Sequence, residues 1–125
     1  MAVALPSTTT KRSLGKELIT KENFYIRSNN RLNRVRIGDI LWIHADGNYC
    51  YIHTKNKKFA VKISLRKLAE KLSPREFIRI HKSYIVRTAC IDGIDINENT
   101  ACIGNHRLPI GRVYKVDLFD RLEVL

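Results

Sequence analysis

From Asn23 onward the chain alternates apolar and polar residues in short runs, the period-two signature of half-buried strands. "NFYIRS" sets Phe24 and Ile26 against Tyr25 and Arg27, "SNNR" turns, and "LNRVRI" returns as a hairpin partner. After Gly38-Asp39, "ILWIHA" is almost continuously apolar, as befits a central strand buried on both faces. "DGN" offers a tight turn, because Asp-Gly and Asn tolerate positive φ. "YCYIHT" comes back, "KNKK" turns again, and "FAVKIS" points Phe59, Val61 and Ile63 inward with Lys62 outward. Three antiparallel strands in succession make a meander.

The period then changes. Leu65, Leu68, Ala69 and Leu72 fall at i, i+3, i+4 and i+7 behind Ser64, which predicts one short helix with a serine N-cap. "SPRE" ends it and resembles a capping box over one further turn, with Glu76 at its third position. "FIRI", "YIVR", "CIDGIDI", "ACIG" and "RLPI" read as short strands, and "GRVYKVDLFDRLEVL" as a C-terminal helix. The expected fold class is mostly β, with about ten short strands in small sheets, one short internal helix and a helical end. Residues 1–21, with Pro, Ser, a Thr triplet and at most a turn of helix in "SLGKELITKE", read as a linker or flexible tail before a domain at 22–125.

One stretch breaks the pattern. In "EFIRIHKSYIVR", residues 76–87, Phe77, Ile78, Ile80, Tyr84, Ile85 and Val86 call for a core, yet His81-Lys82-Ser83 interrupts them. Such a triplet turns the backbone outward into a loop and offers donors to a partner. Charge suggests which partner. The chain carries 23 Lys+Arg against 12 Asp+Glu, a net charge of +11, as expected of a domain that meets a polyanion such as nucleic acid. Basic residues crowd the interval from Lys55 to Arg87, while Asp92, Asp95 and Glu98 fall together in "IDGIDINENT".

Other chemistries find little support. No apolar run reaches the ~20 residues of a membrane helix, the N-terminus lacks a signal-peptide pattern, and a cytoplasmic location is the default. Cys50, Cys90 and Cys102 lack paired zinc spacing and read as buried reduced thiols, and the four histidines are scattered, so neither metal nor cofactor is expected. No G-x-S-x-G or phosphate loop occurs, and His81 with Ser83 alone makes no catalytic centre, so no enzyme is expected.

Three loops carry the candidate contacts. In the first, Lys82 and Ser83 can donate to phosphate oxygens and Arg79 and His81 can join them. The bland reading is that His81 bonds a backbone carbonyl and steadies the turn while Lys82 is solvated. In the second, Asn48 can bond an adenine edge or a phosphate and Tyr49 can stack or donate, unless both merely build the turn. In the third, "LPIGRVYK", Gly111 lets the backbone turn and Arg112 projects from a helix start, able to bind guanine bidentately or to pair with Asp117.

"DILWIHADGNYCYIHT", the leucine-spaced helix, "FIRIHKSYIVR" and "LPIGRVYK", in this order, resemble the LytTR family of DNA-binding domains from bacterial transcription regulators, over about Phe24 to Leu122. The resemblance implies an elongated arrangement of small β-sheets whose loops enter successive major grooves of double-stranded DNA. It implies contacts from Asn48, Tyr49 and Cys50, from Lys82, and from Arg112, with Ser83 and Lys115 on the DNA backbone. It also implies a homodimer on paired sites and an upstream receiver domain or sensor kinase, although 125 residues leave no room for a receiver here. His44, Arg87 and Gly111 stand where an acid, Asn and Ser are frequent in the family. Two other readings stay open. One is an RNA-binding small β-barrel stacking bases on Tyr25, Tyr49 and Tyr51; the other is a protein-interaction module that pairs its edge strands.

Overall fold

The computed structural model describes residues 21–125, so the predicted tail, except for Lys21, lies outside the described residues. Ten strands form three antiparallel sheets among the described residues, and the fold is mostly β as expected. The first sheet is a ribbon of β1 (Asn23–Ser28) and β2 (Arg31–Arg36), turned at Asn29 with φ 57°. The second holds β3 (Ile40–Asp46), β4 (Tyr49–Thr54), β5 (Lys58–Val61), β6 (Phe77–His81) and β7 (Tyr84–Arg87) in the order β5-β4-β3-β7-β6. The third is β8 (Gly93–Asp95), β9 (Thr100–Ile103) and β10 (His106–Pro109), with β9 in the middle. Helix α1 spans Leu65–Ala69, and α2 spans Lys115–Arg121 behind a 3₁₀ turn at Arg112–Tyr114.

The apolar run of β3 takes the centre of the five-stranded sheet, and both faces of that sheet are covered. Neighbouring residues on a strand point to opposite faces. Ile43, Phe77 and Ile85 therefore pack with Val35 of the ribbon and with Leu65, Leu68 and Leu72 around α1. Trp42, Ile78 and Val86 pack instead with Ala101, Ile103 and Leu108 of the third sheet and Leu118 of α2. The five-stranded sheet is the middle of three layers. Each fully buried Leu or Ile contributes about 1.5–3 kcal/mol through removal of apolar surface from water.

Local chemistry matches the predicted helix start. Ser64 accepts from the Lys67 N–H at 3.1 Å, the N-cap bond that satisfies one orphan donor of α1. The expected capping box at "SPRE" does not form, although Ser73 still caps the turn. Arg75 N–H donates to Ser73 Oγ at 3.3 Å, but the Glu76 carboxylate turns instead to Arg87 Nη1 at 2.6 Å.

Arg87, the last of the basic residues that crowd the interval from Lys55, is largely enclosed. Its side chain, 12% exposed, donates from Nε to the Ile40 carbonyl at 2.8 Å and from Nη2 to the Ile37 carbonyl, and lies 4.5 Å over the Phe77 ring. It ties the segment after the ribbon to the end of the central sheet. That guanidinium is a strut, not a presented charge.

Candidate nucleic-acid interface

All three predicted loops open at one end of the five-stranded sheet. β3 runs toward that end and turns back into β4 with Asp46 opposite Tyr49. β6 runs the same way and turns into β7 with His81 opposite Tyr84, while Tyr84 sits opposite His44 of β3. The two hairpin tips are thus neighbours, about two strand spacings or ~10 Å apart. They are also joined directly, since Ala45 N–H donates to the Ser83 carbonyl at 2.8 Å. The third loop arrives beside them through Gly111 N–H, which donates to the Ile80 carbonyl at 2.7 Å.

At the first tip, Gly47 and Asn48 form a two-residue turn. Gly47 takes φ 63° and Asn48 has no positive φ, so the left-handed position of the turn falls on the glycine. Gly47 is the first central residue, where a II′ hairpin turn demands glycine. Asn48 is exposed and Tyr49 is 44% exposed. Cys50 is a correction. Its side chain is 0% exposed, and Sγ donates to the Ile63 carbonyl at 3.2 Å, so the thiol is sealed in the core and cannot meet a partner. Burial pushes that thiol pKa up, outweighing the opposing pull of Arg79.

The second tip divides its residues between support and presentation. A bulge between Arg79 and His81 brings the strand round, and Lys82 and Ser83 are the turn itself. Arg79 folds back, donating from Nε to the His81 carbonyl at 3.3 Å and from Nη2 to the Lys82 carbonyl. It braces the loop from within, a supporting role beside the expected one of phosphate donor. His81 Nδ1 accepts from Ser83 N–H at 3.0 Å, so the imidazole steadies the turn by accepting a backbone N–H, where a bond to a carbonyl was expected. Burial lowers the His81 pKa, and Lys82, His44 and Arg79 push the same way, which keeps Nδ1 free to accept. The His81 ring also meets Tyr84 edge-on at 5.6 Å, and His44 stacks flat on Tyr84 at 4.4 Å. Lys82, exposed at the apex, makes no salt bridge among the described residues.

The third loop owes its shape to contact, not to backbone freedom. Gly111 has φ −75° and ψ 149°, open to any residue, so the expectation that glycine was needed to turn the chain is wrong. A Cβ there would lie 2.9 Å from Tyr114 Cδ2 and 3.6 Å from His81 Cα. Glycine is present because the tyrosine ring closes over it. Arg112 follows, exposed and with no salt bridge to Asp117 or any other described acid. Lys115, half-exposed, begins α2.

Two further cations stand at this end. Lys62 and Lys67 line a shallow hollow together with Asn48, Tyr49 and Ser64. Their charge was legible in the sequence, but their nearness to Asn48 appears only once β5 is paired with β4. Lys55 and Lys57 belong to the β4–β5 turn at the opposite end, where Lys58, the first residue of β5, lies 5.5 Å from the Tyr51 ring. Asp92 and Asp95 serve turns of the third sheet. Asp92 Oδ2 accepts from Gly104 N–H at 2.7 Å and Asp95 Oδ1 from Glu98 N–H at 3.0 Å. No cluster of three metal-ligating side chains and no helix long and apolar enough to cross a membrane occurs among the described residues.

Known proteins resemble this chain. The CO-responsive transcriptional regulator RcoM of Rhodospirillum rubrum is 30% identical over 78 residues, covering 58% of this chain and 33% of that protein. The transcriptional regulatory protein LytR of Staphylococcus aureus is 30% identical over 63 residues, covering 50% of this chain and 26% of that protein. The chain therefore spans a third or less of the length of these curated relatives. A solved LytTr DNA-binding domain of a putative methyl-accepting/DNA response regulator from Bacillus cereus superposes with a TM-score of 0.73 at 21% identity. It covers 84% of this chain and 100% of its own, and at that identity it speaks for the fold. The profile of the LytTr DNA-binding domain matches residues 30–123, and with most of its length inside that match the chain belongs to the LytTR family.

Proposed function

We propose that this chain binds double-stranded DNA sequence-specifically in transcription regulation, with loops entering successive major grooves and contacting the phosphates between them. The observation that carries the reading is the convergence of Asn48, Lys82 and Arg112 at one end of the central sheet. Lys82 and Arg112 are exposed there without a salt bridge among the described residues. Arg112 reads a guanine edge through its planar fork, Asn48 an adenine edge or a phosphate, and Lys82 and Ser83 hold phosphates. Lys62, Lys67 and Lys115 extend the positive rim, and Tyr49 packs on the sugar–phosphate backbone. Arg79 and His81 act behind the contact by fixing the Lys82 loop. A homodimer on paired sites, and control by a receiver domain or sensor kinase, complete the reading.

Binding measured across a salt series on a duplex recovered from a random pool tests it. Lys82→Ala is expected to weaken all duplexes alike and to reduce the log–log salt slope by about 1. Arg112→Ala is expected to cost roughly 1–3 kcal/mol and to relax preference at one base position. Equal binding by both variants and the parent chain would remove the assigned surface, and preference for single-stranded RNA in competition would favour the β-barrel-like rival.

A further inference from the structure

Opposite sides of the molecule carry two small patches of matching chemistry. On the ribbon, Phe24, Ile26 and Val35 face the core, so the cross-strand pairs Tyr25–Arg34, Arg27–Leu32 and Asn23–Arg36 face away from it. Tyr25 and Leu32 are each 58% exposed, the three arginines are exposed, and no acid lies among these six positions. Around α2, Leu118 is buried and Phe119 and Leu122 pack on the core, which leaves Val113, Val116, Asp117 and Asp120 as the outward stripe. Val113 is 80% and Val116 68% exposed. One patch is aromatic, aliphatic and cationic; the other is aliphatic and anionic.

The ribbon lies on one face of the five-stranded sheet and α2 packs into the core on the other. They cannot meet within one chain. We propose that the arginine face of the ribbon docks on the Val113–Asp120 face of a second copy of this chain bound at the adjacent DNA site. Guanidinium forks pair with carboxylates, Tyr25 and Leu32 cover the two valines, and Arg with Tyr, unlike Lys, is the composition of protein interfaces. Because the two patches differ, the contact is heterologous: successive copies face the same way along the duplex. Each patch is only a few residues wide, well below the ~800 Å² per partner of a stable complex. It therefore acts only when DNA holds two copies close, at an effective concentration on the order of millimolar. The inference rests on the DNA-binding reading above.

The test uses the 125-residue chain and duplexes bearing one or two copies of the site recovered from a random-core pool. Two copies are set as direct or inverted repeats, with spacing varied over about two helical turns. Direct repeats at a favoured spacing are expected to fill about tenfold more tightly than independent sites, and inverted repeats are not. Arg34→Glu or Asp120→Arg alone should remove most of that factor, read against each variant's own single-site affinity. The two substitutions combined in one chain should restore it. Independent filling at every spacing, equal cooperativity on inverted repeats, or no rescue by the double swap would overturn the contact. A single-site loss in Arg34→Glu as large as its two-site loss would make the ribbon a DNA contact instead. Absence of any single-site binding by the parent chain would count against the DNA-binding reading itself.

Discussion

The two ends of the five-stranded sheet use the same residue types for opposite purposes. At the loop end, Lys82 and Arg112 stand exposed and without a salt bridge among the described residues, on turns shaped by Gly47, His81 and Gly111. At the other end, Arg87 is nearly enclosed and spends its donors on Ile37, Ile40 and Glu76. What separates the two is the supply of acceptors. A guanidinium that finds backbone carbonyls in reach becomes framework, and one that finds none is left for a partner. Arg79 lies between these cases, close to the presented surface yet consumed in holding it.

The contrast can be broken most forcefully at Arg87. Arg87→Met should cost about 2–4 kcal/mol in urea unfolding, because it strands the part-buried carbonyls of Ile37 and Ile40, while Glu76, more than half exposed, returns to water. The fraction that stays folded should bind DNA as the parent does; a selective loss of binding would place Arg87 in the interface after all. Next in size is Gly111→Ala. Its methyl meets Tyr114 at 2.9 Å, so displacement of the ring should cost about 1–3 kcal/mol and disturb Arg112. Tyr114→Leu in the same chain should recover part of the loss. Unchanged stability and binding in the single variant would show that the close approach is not needed.

A smaller effect sharpens the distinction between presenting and supporting residues. Arg79→Met should lower DNA affinity severalfold through a looser Lys82 loop while keeping its salt slope closer to the parent's than Lys82→Ala does. Equal slopes in the two variants would make Arg79 a phosphate contact. The smallest effect concerns the other end of the sheet. Trp42 stacks on His53 at 4.4 Å and meets His106 at 4.6 Å, and burial, helped by Lys58, His106 and His44, pushes the His53 pKa from 6.5 down to about 4. The native state therefore resists protonation that the unfolded chain accepts. Stability is fully present above pH ~6.5 and falls as pH drops toward about 4. His53→Phe should flatten that slope in urea titrations, and an unaltered slope would assign it elsewhere.

Much of this was legible in the chain. Period-two alternation located the strands, "ILWIHA" the doubly covered centre, and the leucine spacing behind Ser64 the short helix, because each depends on local pattern alone. The loops were legible as loops, and the polar triplet within an apolar stretch marked the second tip. What pattern could not give was the destination of individual side chains. Cys50 occupies a promising position beside the turn, yet it falls on the inward face of β4. Arg79 and Arg87 add to a charge count that does not reveal their carbonyl partners. Lys62 and Lys67 approach Asn48 only through strand pairing, a contact between distant parts of the sequence.

The bond from Ala45 N–H to the Ser83 carbonyl has a consequence for the proposed complex. With the two hairpin tips bolted together, the protein cannot widen its grip to suit a duplex of different pitch. Mismatch must be absorbed by the DNA, through local twist and bend at steps no side chain touches. Sequences between the contacted bases would then matter by their stiffness, and soft pyrimidine–purine steps there would be favoured over rigid A-tracts.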